Sequence, residues 1–184
     1  MRRRSNMNQL RRVLLLACVL LAPIALRAAS EGETAALTGL EAMNRNQGER
    51  FVAIAHSKLV RKICEILTSR LEISTRQSGG DLPFLAIYGV KSLEEFKKLS
   101  PENVTRTTID HMGDPLPDKL RTRLRTAKFS IVRSEAFGPE ALLVTIAVEV
   151  AEENSTQKYS VDLLSKLEGT KWKYWGFPEL AKGF

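Results

Sequence analysis

Four β-rich segments in the last third of the chain constrain its fold more than any other feature. They span residues 127–137, 141–151, 158–167 and 171–177. The connections between them are short and contain Gly138-Pro139, the polar run 152–155 and Gly169. In the first two segments apolar and polar side chains alternate, as they do in half-buried strands. Sequential strands joined by short turns form an antiparallel meander, and one apolar face of such a sheet must be covered.

Amphipathic helices precede the strands and can supply that cover. From Arg50 to Leu67 apolar residues recur at spacings of three and four, which predicts one long helix. A shorter helix is predicted over residues 33–44, and Asn46-Gln47-Gly48 ends it. Its apolar face is formed by Leu37, Leu40 and Met43. We therefore expect an α+β domain with N-terminal helices packed on a curved antiparallel sheet of about four strands.

The middle of the chain is less decisive. Ser92-Leu93-Glu94-Glu95 has the form of a capping box and predicts a short helix over Phe96 and Leu99. Residues 82–90 and 103–111 contain short apolar runs that fit either a strand or a short helix. Both assignments stay open at this point.

The first thirty residues have the composition of a secretory signal peptide. They contain six arginines, no acidic residue and an apolar stretch from Val13 to Leu26. The small residues Ala28 and Ser30 predict cleavage before Glu31, which divides the chain into a signal peptide (1–30) and one domain (31–184). Retention as an uncleaved membrane anchor and lipidation at Cys18 are the alternatives. The expected location is the periplasm or the extracellular space of a bacterium.

Removal of the signal changes the charge and the cysteine count. The whole chain has 28 Lys and Arg against 21 Asp and Glu, and without the six signal arginines 22 cations face 21 acids. A nearly neutral domain does not favour nucleic acid as a partner. Cys64 is then the only cysteine left, so the domain has no internal disulfide, and burial is the expected state of its thiol.

The end of the chain resembles a known superfamily. The segment Leu164-Ser165-Lys166-Leu167-Glu168-Gly169-Thr170-Lys171-Trp172-Lys173-Tyr174-Trp175-Gly176-Phe177 is similar to the closing strand pair of nuclear-transport-factor-2-like (NTF2-like, cystatin-like) proteins. The resemblance implies a sheet wrapped around helices as a cone, with a pocket at the open end. Across the superfamily that pocket serves catalysis, ligand binding or dimerisation, so the fold does not select a function.

Few residues suggest chemistry. The two histidines, His56 and His111, have no nucleophile or metal-ligand set at a suitable spacing, so neither a metal nor another cofactor is expected. Asp110, His111 and Asp114 form the only polar cluster, which we interpret as a solvated turn. Three residues are candidates for lining a pocket: Asp81, Tyr88 and Asp110.

A basic ridge and a pair of tryptophans are the remaining features. We define the basic ridge as Lys119, Arg121, Arg123, Arg125, Lys128 and Arg133. On a helix Leu120 and Leu124 would face inward and the arginines outward, toward anionic headgroups or an acidic partner. The alternative is a solvated surface balanced by the carboxylates of residues 149–153. In the last strand Trp172 is expected in the core, and Trp175 at the surface or an interface.

These observations favour an exported, non-catalytic domain that binds a partner protein or an apolar ligand in the cell envelope. One alternative is a small proton-transfer enzyme of the ketosteroid isomerase or dehydratase type, and another is a membrane-anchored assembly component. An open cone with buried carboxyl groups would favour the enzyme. A cone filled by side chains would favour interaction.

Overall fold

The computed structural model describes residues 30–78, 83–152 and 155–178. The first helix, α1, spans residues 30–44. It is followed by α2 (Gly48–Ile54), α3 (Ser57–Ser78), a 3-10 helix (Pro83–Tyr88), α4 (Leu93–Phe96), α5 (Pro101–His111) and α6 (Asp118–Arg125). The strands are β1 (Lys128–Ala136), β2 (Ala141–Ala151), β3 (Thr156–Glu168) and β4 (Lys171–Gly176).

The four strands form one antiparallel sheet in the order β1-β2-β3-β4, so the predicted meander is confirmed. Val144 pairs with Leu163 and Ile146 with Val161, which places these apolar side chains on one face. Register shifts occur between Ile131 and Arg133 and between Leu164 and Ser165. Six helices precede this open sheet in the described ranges, and the predicted α+β fold class, with helices first and an antiparallel sheet of four strands after them, is confirmed.

The helices cover the apolar face of the sheet. The main core combines residues of α1, α2 and α3 with Val144, Ile146 and Leu163 of the sheet. Tyr174 of β4 lies in this core, edge-on to Phe51. A second, smaller cluster joins α3 to the middle of the chain through Leu71, Leu85, Phe96 and Val104.

The first helix agrees with its prediction, and two close contacts hold it on the sheet. Leu40 is buried, and Leu37 and Met43 pack against the core. At Gly39 a Cβ atom would lie 2.3 Å from Cγ of Tyr174, so only glycine lets the helix approach this ring. Ser165 donates a hydrogen bond to the carbonyl of Gly32 (2.6 Å).

The long helix predicted from Arg50 to Leu67 is wrong in one respect, because it is interrupted at Ala55 and His56. Ala55 forms a parallel bridge with Tyr174, and the His56 amide donates to the Tyr174 carbonyl (2.9 Å). The apolar spacing continues across this break, since both α2 and α3 pack on the same core. At this point, however, the backbone forms hydrogen bonds with the edge strand β4. The periodicity of apolar residues does not indicate such bonds.

The structure also decides the open assignments in the middle of the chain. Ser92 Oγ accepts from the Glu95 amide (3.2 Å), as the predicted capping box requires. The Glu95 carboxylate accepts from the Lys91 amide (2.8 Å). The described part of segment 82–90 contains the 3-10 helix, and segment 103–111 lies within α5, which begins after Ser100 as its N-cap.

Among residues 30–78, 83–152 and 155–178, no helix is both long enough and apolar enough to cross a membrane. The predicted signal segment ends where the description begins, so its cleavage, lipidation or retention stays a prediction.

Candidate functional site

The space between helices and sheet is filled by side chains. Tyr174, Phe51, Ile109, Ile146 and Leu163 are all among the largest fully buried side chains. The buried polar residues in the described ranges are His56, Thr105, Thr145 and Ser165, none of them acidic. Their hydroxyls are bonded within the fold: Thr105 donates to the Val60 carbonyl (3.2 Å) and Thr145 to the Asp162 carboxylate (2.6 Å). The interior is therefore a packed core, and the candidate sites lie at the surface of the domain.

One candidate is a groove between α2 and α5, with a volume of about 890 Å³. We call it the polar groove, and it is lined by Gln47, Gly48, Glu49, Arg50, Ala53, Ile87, Arg106, Thr107, Asp110 and His111. Its floor is a close helix–helix contact. A Cβ atom at Gly48 would lie 2.1 Å from the Arg106 carbonyl oxygen, so α2 approaches the backbone of α5 through this glycine. Asp110 Oδ1 accepts from the Gly48 amide (2.7 Å), which caps the start of α2 from the neighbouring helix.

Some charged side chains along the polar groove already interact with other residues of the domain, and others do not. Arg50 lies 3.5 Å from Glu41 and bonds to Gln47, and Asp110 is occupied by the Gly48 amide. His111 Nδ1 lies 2.6 Å from Asp114 Oδ2. Arg106 is exposed and has no ion pair or side-chain hydrogen bond within the described chain. The groove thus holds one guanidinium that is free to receive a carboxylate.

A smaller apolar cleft of about 80 Å³ adjoins the polar groove. We call it the Met cleft, and it is lined by Met43, Asn44, Asn46, Met112, Gly113, Leu116, Arg121 and Leu124. Asn46 directly precedes the groove residues Gln47 and Gly48, and Met112 directly follows His111. The two sites therefore share the α1–α2 turn and the C-terminal end of α5.

Of the predicted pocket residues in the described ranges, Asp110 lines the polar groove and Tyr88 does not. Asp81 lies outside the described residues. Tyr88 is half-buried against Phe96, and its hydroxyl is 3.0 Å from Thr108 Oγ1. Burial raises the pKa of Tyr88, so this phenol is a packed, neutral group. Asp110 does line the polar groove, but as the cap of α2. The cluster with His111 and Asp114 is exposed to solvent, as predicted, but Asp110 and His111 belong to the last turn of α5 and only Asp114 lies in the turn that follows.

The sequence predicts that the basic ridge is a free surface, but in the structure only part of it is. Arg121 donates to the carbonyls of Gly113 (3.1 Å), Asp114 (3.1 Å) and Leu116 (3.2 Å), so it clamps the loop between α5 and α6. The expectation that Arg121 faces outward is wrong, because its guanidinium donates to these three carbonyls of its own domain. The expectation that Leu120 faces inward is also wrong, since 41% of it is exposed.

The rest of the basic ridge fits the alternative of a balanced surface. Arg123 lies 3.7 Å from Glu152, and Lys128 is the register partner of Glu149. Arg133 donates to Thr145 Oγ1 (3.2 Å). Only Arg125 of the three helical arginines is exposed without an ion pair in the described ranges. The residues of the ridge thus mostly bond to their own domain.

We expect Arg121→Gln to destabilise the domain by about 1–2 kcal/mol, because three loop carbonyls lose a charged donor. Arg125→Gln is the matched control and should change the free energy of unfolding by less than about 0.5 kcal/mol. Urea unfolding of both variants measures this difference. Equal, small losses would mean that the clamp contributes nothing to stability.

The surface position predicted for Trp175 is wrong. Only 2% of this residue is exposed, whereas Trp172 is partly buried against the main core. The register shift at Leu164 and Ser165 places Trp175 beside the break between α2 and α3. The His56 ring packs edge-on against it (4.7 Å between centroids), and Lys166 Nζ lies 3.9 Å from the ring centre. Trp175 is therefore part of the junction between β4 and α3.

His56 serves this junction as the cap of α3. Its Nδ1 accepts from the Lys58 amide (3.2 Å), and Glu168 Oε1 accepts from the Ser57 amide (3.1 Å). An imidazole that accepts at Nδ1 has to be neutral there. Burial lowers the pKa of His56 below 6.5, although Glu168 acts in the opposite direction. The histidine is thus structural in this fold and lies apart from both the polar groove and the Met cleft.

This geometry predicts a specific pH dependence of stability. The unfolded chain binds a proton on His56 at a higher pH than the folded chain does, so stability is fully present above about pH 6.5 and falls as the pH is lowered toward the folded pKa. His56→Gln should remove this contribution and flatten the stability curve between about pH 7 and about pH 5. Chemical unfolding over this range tests it, and parallel curves for both proteins would contradict the assignment.

The sequence missed the residues that define the two sites. Arg106 lies in segment 103–111, whose apolar run fits either a strand or a helix, and Asn46-Gln47-Gly48 indicates only a helix break. A glycine directly after a helix-ending Asn-Gln pair is a signal for close approach, but its partner on α5 lies 58 positions away in the chain.

Comparisons with known proteins identify no family for this chain. No protein-family model matches the chain, and no curated protein matches it in sequence. Among solved structures, the chain is similar to the crystal structure of an NTF-2-like protein of unknown function from Shewanella oneidensis MR-1. The two are 13% identical, the match covers 74% of this chain and 85% of that chain, and the TM-score is 0.35. The function of this chain therefore has to be argued from the polar groove and the Met cleft.

Proposed function

We propose that this chain is an exported, non-catalytic domain of the bacterial cell envelope that binds a partner protein. The observation that carries the proposal is the side-chain-filled interior: the space that would hold a substrate in a cone-shaped enzyme is occupied by Tyr174, Phe51 and Ile146. The buried polar residues of the described chain include no carboxyl group that could act as a proton-transfer base.

The polar groove supports a protein rather than an apolar small molecule as the ligand. Pockets for small molecules are lined mainly by apolar and aromatic side chains. This groove has only two apolar side chains, Ala53 and Ile87, among ten lining residues. Charged residues of both signs at an exposed surface are typical of the rim of a protein interface, where arginine is enriched. An extended segment with an acidic side chain opposite Arg106 would fit this lining.

The location in the envelope rests on the N-terminal thirty residues. Their arginines and the apolar stretch from Val13 to Leu26 have the composition of an export signal. Intact-mass measurement of the protein from the periplasmic fraction tests export and cleavage together. A chain that begins at Glu31 supports the proposal, and a full-length chain in the cytoplasmic fraction contradicts it.

Photo-crosslinking from the polar groove tests the binding function. A photoreactive amino acid replaces Ala53, an exposed residue of the groove, in cells that export the protein. We expect a crosslink to one protein, identified by mass spectrometry, and its loss when Arg106→Glu is added. The matched control is Arg70→Glu, an exposed arginine of α3 outside the groove, which should keep the crosslink. No crosslink from Ala53, or a crosslink indifferent to Arg106→Glu, would contradict the proposal.

A further inference from the structure

The outer face of the sheet, opposite the core helices, is buried in one place. Leu163 points into the main core, so Leu164, the next residue of β3, points to the outer face. Leu164 is nevertheless 0% exposed. Trp175 of the neighbouring strand is also buried, and neither residue belongs to the main core or to the second cluster of the described chain. The helices that form the main core therefore do not explain this burial.

The burial of the outer face is confined to the part that lies beside β4. Ala141 and Ala147 are both on the outer face of β2, and they are matched in size. Ala141 pairs with Lys166, which also pairs with β4, and it is 8% exposed. Ala147 pairs with Ser160, beyond the reach of β4, and it is more exposed. The cover thus lies over the part of the sheet where β4 ends.

This burial is present in a single chain, so the cover is part of the chain itself. Four segments lie outside the described ranges: 1–29, 79–82, 153–154 and 179–184. The first precedes α1, which packs on the opposite face, and it is predicted to be cleaved. The second connects elements of the second cluster, in which no strand residue is found, and the third joins the far ends of β2 and β3. Only the last segment begins beside Leu164, because Gly176 is the register partner of Leu164.

The sequence after β4 has the pattern of a short helix with one apolar side. Its apolar residues recur at i, i+3, i+4 and i+7, the spacing of an amphipathic helix. They are Phe177, Leu180, Ala181 and Phe184. Glu179 and Lys182 fall on the opposite side of such a helix. Pro178 already has a helical backbone, and proline is favoured at the first position of a helix.

We infer that residues 179–184 dock on the outer face of the sheet and cover Leu164 and Trp175. A helix that continues from Pro178 through this segment is about 10 Å long, which is about twice the distance between neighbouring strands. It therefore reaches from β4 across β3 to β2. There it meets Leu143, the register partner of Leu164, which is partly buried. The docked segment is separate from the polar groove, so this inference does not depend on the proposed function.

Acrylamide quenching of tryptophan fluorescence tests the docking on the exported protein. Trp172→Phe leaves Trp175 as the only tryptophan, so the emission reports the outer face alone. In this background the chain is truncated after Pro178. We expect the quenching constant to rise severalfold and the emission to shift to the red, because Trp175 becomes accessible to solvent. Circular dichroism verifies that the truncated protein is folded.

A single substitution at full length keeps the test decisive if the truncated chain does not fold. Leu180→Ser should raise the quenching constant of Trp175 and lower the Tm by about 4–8 °C, the effect of losing one buried leucine. Lys182→Ser, on the polar side of the same segment, is the matched control and should change neither quantity.

Two outcomes would overturn the inference. The first is an unchanged quenching constant in both the truncated protein and Leu180→Ser. The second is an equal Tm for Leu180→Ser and Lys182→Ser. A difference in quenching that appears only at high protein concentration would also overturn it, because the segment would then cover a second copy of the chain. The crosslink from Ala53 is not involved in any of these measurements, so the proposed function is tested separately.

Discussion

Replacing Trp175 by alanine should destabilise the domain by about 3–5 kcal/mol, the usual cost of deleting a buried aromatic side chain. The residue is 2% exposed and lies between His56 and Lys166, so its removal opens a cavity where β4 joins α3. That loss is a large share of the 5–15 kcal/mol that typically stabilises a domain. Denaturant unfolding monitored by circular dichroism measures it.

The matched control is Trp172→Ala in the same strand. Trp172 is only partly buried against the main core, so its truncation should cost clearly less than that of Trp175. The opposite order would mean that the closing strand lacks the register shift at Leu164 and Ser165. Trp175 would then face solvent, as strict alternation from Trp172 predicts.

Gly48→Ala should destabilise the domain by about 3 kcal/mol and also disrupt the polar groove. The added Cβ would lie 2.1 Å from the Arg106 carbonyl oxygen, so α2 and α5 have to move apart. This movement breaks the bond between the Gly48 amide and Asp110, which caps α2. Because Arg106 and Ala53 lie on the two separated helices, the crosslink from the groove should weaken in the same variant.

Gly32→Ala is the control for this prediction. At Gly32 the nearest atom to an added Cβ is Cδ2 of Leu142, at 2.8 Å. The end of a leucine side chain yields more easily than a backbone carbonyl, so we expect a loss of about 1 kcal/mol. Similar losses for the two variants, measured by thermal unfolding, would show that the α2–α5 contact is looser than the structure has it.

The sheet could be predicted from the sequence because its information is local. Alternation over residues 141–151 and short turns between segments specify an antiparallel meander without reference to the rest of the chain. The break at Ala55 and His56 could not be predicted in this way. It depends on hydrogen bonds to Tyr174, more than a hundred positions further along the chain, while the helical spacing of apolar residues runs on unchanged.

The candidate site was less accessible to sequence reasoning than the fold. Asp110 is a predicted pocket residue and does line the polar groove, but its role as the cap of α2 depends on Gly48, 62 positions away. From its residue type and its spacing along the helix, Arg121 is predicted to lie at the surface. Its guanidinium donates hydrogen bonds to loop carbonyls, and a sequence pattern does not indicate which backbone carbonyls accept from a side chain.

The most direct test of the central claim is the affinity of the crosslinked partner protein for three purified forms of the domain. We predict that Arg106→Glu raises the Kd at least about tenfold relative to wild type. The substitution replaces the free guanidinium of the polar groove by a carboxylate, which repels the acidic side chain proposed for the partner. Arg70→Glu, with the same change in net charge outside the groove, should bind as the wild type does. Equal Kd values for all three proteins would contradict the claim that the groove is the binding site.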